Sequence, residues 1–480
     1  MSVENPRAHL LAALAADPPL SRLELHALLY RVAGRWASAL HNCLREPEWD
    51  EWAAGREQQV GKLLVESDWA ARLAAHIRWI SERDTDTLLV LGSVVLRGLD
   101  RFHREHRSEN ATREAVLPPA LGGGRTLFLP PPQSPIEGLI PAARRLDRGT
   151  GDLENDVRTM LDLWWLLVPL EDQAVQIETG TLDPVISKTL SVRLQRTGDL
   201  RVGLCSPVLG FDYTIWADPE RCHAAAGTPY RFVGLPPGSL AGARQVLEEV
   251  VATCAQERID VLCFPELTLD TTLLGDLSRL LKLRNPDLHP LLVVAGSFHV
   301  DAGLAHANRC SVLDGYGDLL FCQDKCKAYG IPAAQARRMR PELRAKLGID
   351  ERGGYEDIGS GSALRLTETA IGRLATPICL DFCGTQLLDL LVSARANLLF
   401  VPAMTPRMGP FYERARDLGT SARATTFVVN SAWLLQQIGL RSRRQRNLGY
   451  VPARKGLRGG GRPISDHLAL FTIRELLGLP

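Results

Sequence analysis

The sequence predicts an α/β domain preceded by a mainly α-helical N-terminal region, and three observations predict it. Short apolar runs recur from about residue 199, at 200–205, 259–264, 291–296, 309–313, 318–322, 373–379, 397–402 and 427–430. Helical patterns lie between several of them, notably at 240–256, 384–395 and 411–424. Alternation of that kind makes mixed sheets covered by helices. Before residue 115 the apolar positions recur instead at helical spacing.

The N-terminal elements follow in order. Leu25, Leu28, Leu29, Val32, Trp36 and Leu40 mark one helix, and Trp69, Leu73, Ile77 and Ile80 a second. Leu88, Leu91, Val95 and Leu99 suit a third. Breakers then cluster at Pro118, Pro119, Gly122–Gly124, Pro130–Pro132 and Pro135, which reads as a linker near 117–140. Val157, Met160, Leu161, Trp164 and Val168 suggest one more helix. The expected domains are therefore 1–195, of no assigned role, and 196–480. No repeat is visible, and the glycine runs 122–124 and 459–461 lack the strand–loop–helix setting of a phosphate cradle.

Composition narrows the class. The chain has 480 residues, 45% hydrophobic, with a formal charge of +1, so it has the means to bury a full core and no net bias toward polyanions. Several of the ten cysteines sit inside apolar runs, as free buried thiols do. A chain of this size has little need of disulfides, which points to a reducing compartment. The N-terminus lacks the basic lead and apolar stretch of a signal peptide, and no run of 18 apolar residues occurs. A cytoplasmic location and no membrane partner are expected. Lysine occurs only seven times, and two of the seven are Lys325 and Lys327. Arginine supplies most of the other positive charge, so a retained lysine suggests a need for a compact ammonium.

Three segments carry chemistry. The strand 259–264 runs into Pro265 and Glu266. Proline ends the ladder, leaving a half-desolvated carboxylate at a strand end, suited to general-base work. Gly317 leads through an apolar strand to Lys325, which could stabilise an oxyanion. Gly372–Ile378 leads to Cys379, Leu380 and Asp381 ahead of a helix. A thiol at such a turn is presented beside free backbone N–H groups, that of Leu380 for example. Taken singly, each has a plainer reading: a capping acid, a surface lysine, one more buried cysteine.

Their order and context resemble the nitrilase (carbon–nitrogen hydrolase) superfamily. Leu200–Leu204 looks like its first strand, Val294–Ser297 and Ala307–Val312 like later ones. Ala396–Pro402 looks like the strand after the cysteine helix, and Arg423–Asn430 like an Arg-Ala…Asn segment. The resemblance covers roughly 199–475. It implies an α-β-β-α sandwich and amidase-like hydrolysis of a small amide or nitrile, without cofactor or metal. Cys379 would be the nucleophile, Glu266 the base and Lys325 the stabiliser of charge. A further glutamate is implied between lysine and cysteine, for which Glu342, Glu351 and Glu356 compete. The chain departs from the family's pattern at Gln323, Lys327 and Phe382–Gly384.

Other readings attach to particular segments. A catalytically divergent relative would bind or regulate, recognising an anionic ligand through the Arg-rich stretch 441–462. That stretch holds a single aromatic, Tyr450, so nucleic acid is disfavoured. The helical region suits a protein partner, and the resemblance implies a homo-oligomer. The pairs Cys322/Cys326 and Cys379/Cys383 have zinc-like spacing, but a metal there would consume the nucleophile.

Overall fold

The computed structural model describes residues 175–480, except 208–211, 223–226, 286, 304, 440–446, 453–456, 460 and 478–480. Before residue 175 it describes the elements given below and scattered positions from 21 to 132. The chain divides into two compact units, 1–131 with 146–173, and 132–145 with 174–480.

In the first unit, helix α1 (Trp69–Ser81) buries Trp69 and Leu73, two of the residues that mark it in the sequence. Strands β1 (Arg113–Leu117), β2 (Gly124–Leu129) and β3 (Leu166–Pro169) form an antiparallel sheet in that order. The region expected to be mainly helical therefore also holds a three-stranded sheet. The run Thr126-Leu127-Phe128 pairs as a strand within the stretch read as linker, and Val168 lies in a strand rather than a helix. Flanking glycine and proline punctuate strands as well as linkers. The other positions of the expected helix at 157–168 lie outside the described residues, as does most of the expected helix at 25–40.

The second unit opens with β4 (Gln176–Thr181) and α2 (Pro184–Thr197), whose N-cap Asp183 accepts from Val185 and Ile186 N–H. Next come β5 (Arg201–Cys205), β6 (Thr214–Ala217), β7 (Thr228–Gly234), α3 (Pro237–Gln256), β8 (Val261–Cys263) and α4 (Thr271–Arg284). Strands β9 (Leu292–Ala302), β10 (Ala305–Asp314), β11 (Leu319–Asp324) and β12 (Gly330–Pro332) follow. After α5 (Ala333–Ala336) and α6 (Pro341–Leu347) come β13 (Gly353–Glu356), β14 (Ala363–Thr369) and β15 (Gly372–Ala375). Then α7 (Leu380–Cys383), α8 (Thr385–Ser393), β16 (Leu398–Ala403), α9 (Gly409–Ser421), β17 (Thr425–Asn430) and α10 (Ala432–Gln437) succeed one another. The unit closes with β18 (Asn447–Val451), β19 (Leu457–Gly459), β20 (Arg462–Pro463), β21 (Leu468–Thr472) and α11 (Ile473–Leu477).

Two seven-stranded sheets result, β11-β10-β9-β8-β5-β21-β20 and β19-β18-β17-β16-β15-β14-β4. Both are mixed: β5, β8 and β9 run parallel, as do β15, β16 and β17 and the edge pair β14 and β4, while β9/β10, β10/β11, β5/β21, β20/β21, β14/β15, β17/β18 and β18/β19 are antiparallel. The first sheet buries both faces. Leu262, Val293 and Ala295 share a core with Val246, Val250 and Leu277 of α3 and α4. The alternate residues Val202, Leu204, Val261 and Cys263 are equally buried, on the side where β5 and β9 meet β17 and β16. Near-continuous apolar strands arise from this double burial. A single side chain also stitches the sheets. Gln323 on β11 donates from Nε2 to Ala363 O (2.8 Å) and accepts at Oε1 from Arg365 N (2.7 Å), as a backbone strand would. One departure from the family pattern is thus a structural tie.

A bulge in β9 aims the site. Between the pairs Val294/Val312 and Ser297/Cys310, two residues of β9, Ala295 and Gly296, face one of β10, Ser311, with Gly296 at φ +67°. The extra residue reverses the alternation, so Phe298 joins Val293 and Ala295 in the helix-side core and His299 turns the other way. A Cβ on Gly296 would stand 2.2 Å from Pro265 O, directly behind Glu266. Gly296→Ala is therefore expected to destabilise the protein by about 1–3 kcal/mol from backbone conformation alone, and by more once Pro265 is pushed aside. Urea denaturation checks this; an unchanged midpoint would mean the bulge is not needed.

Candidate functional site

Glu266 lies three residues beyond the end of β8, after Phe264 and Pro265. Its placement follows from the bulge: Leu267 N donates to Ser297 O (2.6 Å), bridging this loop to β9. Lys325 follows the last residue of β11, and its N–H donates to Asn308 O of β10 (2.8 Å). Cys379 stands between β15 and α7, with its own N–H held by Pro402 O of β16 (2.8 Å). Its φ is +48°, a strained conformation for a side chain and one that persists only when neighbours enforce it. The turn presents the sulfur at the start of α7. Leu380 N–H, the first of that helix, has no acceptor among the described residues.

These three residues converge, and Glu356 at the end of β13 joins them. All four are buried, with Cys379 the most accessible at 8%. Lys325 Nζ is 2.7 Å from Glu266 Oε1 and 2.6 Å from Glu356 Oε2. Asn308 donates both amide hydrogens, to Glu266 Oε1 (3.0 Å) and to Glu356 Oε1 (3.2 Å). Glu356 also accepts from Tyr329 N (2.6 Å) and lies 3.2 Å from His299 Nε2. Of the competing glutamates, Glu342 and Glu351 are exposed, and Glu351 pairs with Arg344. Lys327 is exposed as well.

The two carboxylates differ in their surroundings. Glu356 receives two donors on each oxygen. Burial works against its charge, but Lys325 and His299 outweigh burial and lower its pKa to about 2. Glu266 takes the ammonium and the amide on Oε1, and the Cys379 thiol is hydrogen-bonded to the same carboxylate. Burial also pulls against the Lys325 ammonium, yet Glu266, Glu356 and Cys379 raise its pKa well above the usual lysine value. An ammonium has three donors, and two are engaged by the carboxylates. The Cys379 thiol is pushed well up, first by burial and then by the Glu266 charge, with Lys325 opposing. The resting sulfur is therefore a thiol with a carboxylate beside it.

Asp381, two residues beyond the cysteine, ties the elements together. Its carboxylate accepts from Cys326 N and Lys327 N, each at 2.9 Å. Burial raises its pKa to about 7 against the pull of those N–H groups and of Lys325. Asn430 holds the opposite rim: Thr405 N donates to its Oδ1 (2.8 Å) and its Nδ2 donates to Thr405 O (2.7 Å), next to Met404 O, which faces Cys379 Sγ at 3.9 Å.

His299 carries no signal in the sequence, since its orientation depends on the bulge. Asn308 and Asp381 stand inside recognised segments but their roles need the third dimension. Among the described residues no group of three or more His, Cys, Asp or Glu side chains is arranged to hold a metal ion. No helix among them is long and apolar enough to cross a membrane. Of the Arg-rich stretch, Arg441 to Arg446, Arg454 and Lys455 lie outside the described residues, while Arg462 pairs with Glu257 at 3.1 Å.

No family model matches the sequence, and no curated protein does. Solved structures do. Nit3 of Saccharomyces cerevisiae, a member of branch 10 of the nitrilase superfamily, is 13% identical over 58% of this chain and 92% of its own, with a TM-score of 0.38. An amidase from Nesterenkonia sp. is 13% identical over 57% of this chain and 89% of its own, at 0.34. Glutamine-dependent NAD+ synthetase from Acinetobacter baumannii is 14% identical over 48% of this chain and 38% of its own, at 0.30.

Proposed function

We propose that the second unit, with its two sheets between helices, is a nitrilase-like α-β-β-α hydrolase of non-peptide carbon–nitrogen bonds acting on small amides. One observation carries this reading: a buried ammonium held between two carboxylates, one of which is hydrogen-bonded to the thiol of a strained cysteine. That arrangement suits acyl transfer through sulfur.

Glu266 takes the thiol proton as the Cys379 sulfur bonds to the amide carbon. The third Lys325 donor and Leu380 N–H receive the developing oxyanion. Collapse breaks the C–N bond, the proton on Glu266 passes to the departing nitrogen, and ammonia or an amine leaves. Water then attacks the thioester, giving its proton to Glu266. The C–S bond breaks, the acid departs, and the sulfur recovers the proton. Glu356, saturated with donors, is unsuited to carry a proton and instead aims the ammonium.

Ammonia release from a panel of small aliphatic and aromatic amides by the full chain tests the proposal. Release with a thioester on Cys379 seen by mass spectrometry is expected. No release from any amide, with no acyl adduct, would turn the reading toward a binding or regulatory protein on the same scaffold. The departures at Lys327 and Phe382–Gly384 are what favour that second reading.

A further inference from the structure

Glu356 is held by Lys325, Asn308 and Tyr329 N–H, and by one donor more. Lys325 alone does not fix a carboxylate, because an ammonium is a point charge without directional preference. Behind Glu356 lies His299, whose side chain is 1% exposed. Its ring is gripped from both ends. Phe232 N–H of β7 donates to Nδ1 at 2.8 Å, and Nε2 meets Glu356 Oε1 at 3.2 Å. A backbone N–H can only donate, so Nδ1 is an acceptor and the ring proton sits on Nε2. Nε2 then donates to the carboxylate. Phe232 and Phe298 pack against the ring with centroids 6.0 and 6.4 Å away, which hinders rotation.

We propose that His299 is a positioning residue, locked in its Nε2–H form by Phe232 N–H, that holds Glu356 and through it aims the Lys325 ammonium at the reacting carbon. The inference rests on the hydrolase reading. The chain of contact is Phe232 N–H, His299, Glu356, Lys325, with Asn308 as a side tie between the two glutamates. The histidine contributes what Lys325 does not, a directional donor fixed to the backbone of a different sheet. Strand β7 belongs to the four-stranded sheet β12-β13-β7-β6, so the grip also ties that sheet to β9.

Two measurements on the full chain test it. The first needs no turnover: 15N spectra of histidine-labelled protein, with the His299 signal assigned by its loss in His299→Gln. An unprotonated Nδ1 and a protonated Nε2, perturbed in Glu356→Gln, are expected. A proton on Nδ1, or an imidazolium at neutral pH, would overturn the proposal. If no amide is turned over but this signature appears, the hydrolase reading fails and the grip on Glu356 stands.

The second is kinetic. His299→Ala is expected to lower kcat about 10- to 100-fold with KM within about twofold, the size of one hydrogen bond to a charged group. His299→Gln keeps a donor and is expected to recover most of that loss. Glu356 is faced by Lys325, Glu266, His299, Tyr230 and Tyr329, and of these only the histidine donor is removed in His299→Ala. The acid limb of the rate profile should therefore move to higher pH in that variant. Equal losses in the two variants with an unmoved acid limb would leave His299 a packing residue only.

Discussion

Cys379→Ala should reduce amide hydrolysis by at least about 10,000-fold, to the level that binding and oxyanion stabilisation sustain without a nucleophile. Folding should survive, because a thiol donates only weakly, here to Met404 O at 3.9 Å and to the Glu266 carboxylate, which keeps Lys325 and Asn308 as donors. Alanine is also a small residue for the strained turn at φ +48°. Steady-state ammonia release together with a thermal melt checks both halves. Residual activity within tenfold of wild type would remove Cys379 from the mechanism.

The same environment predicts how the thiol reacts. Burial and the Glu266 charge hold it protonated at neutral pH, so proton removal belongs to the attack rather than preceding it. A preformed thiolate would need a cation next to the sulfur and no competing anion. Here the cation is already shared between Glu266 and Glu356. The site therefore depends on its base in a way that a thiolate–imidazolium pair does not.

How much of this was legible in the sequence differs from residue to residue. Glu266 and Cys379 stand where apolar strands stop, and proline or helix signals mark those ends in one dimension. Lys325 stands out because this chain otherwise favours arginine. The choice of Glu356 over Glu342 and Glu351 was not legible. It depends on β13 pairing with β7 and β12, which places residue 356 inside the cluster and leaves residue 351 in the preceding turn. His299 was hidden by the Gly296 bulge, since a strict period of two carried through β9 from Val293 and Ala295 places it with the helix-side core. The strands of the first unit were hidden for another reason. Glycines and prolines around 118–135 punctuate short strands and loops alike, and the sequence has no long apolar period there to separate the two.

Removing the ammonium should have the largest effect on the fold. Lys325→Met leaves Glu266 and Glu356 buried and facing each other, with Asn308 alone between them. Breaking a buried ion pair from one side costs about 3–5 kcal/mol, because an uncompensated charge remains. The sign of the contribution that Glu356 makes to the pH dependence should also reverse. In the wild type Glu356 has a folded-state pKa of about 2 against the usual 4.5. Its contribution is present above about 4.5 and is lost as the pH falls toward 2. Without Lys325, burial acts on Glu356 with less opposition and its folded-state pKa rises. If it passes the unfolded value, the group destabilises the protein at neutral pH and acidification relieves the penalty. Denaturation of Lys325→Met between pH 7 and 5 is expected to show stability rising more steeply as the pH falls than in the wild type, where Asp381, raised to about 7, contributes a rise and Glu356 none. Lys325→Met with Glu356→Gln should recover part of the loss, since one of the stranded charges is gone. A variant as stable as wild type, with the same pH slope, would show that the ammonium does not hold the carboxylates together.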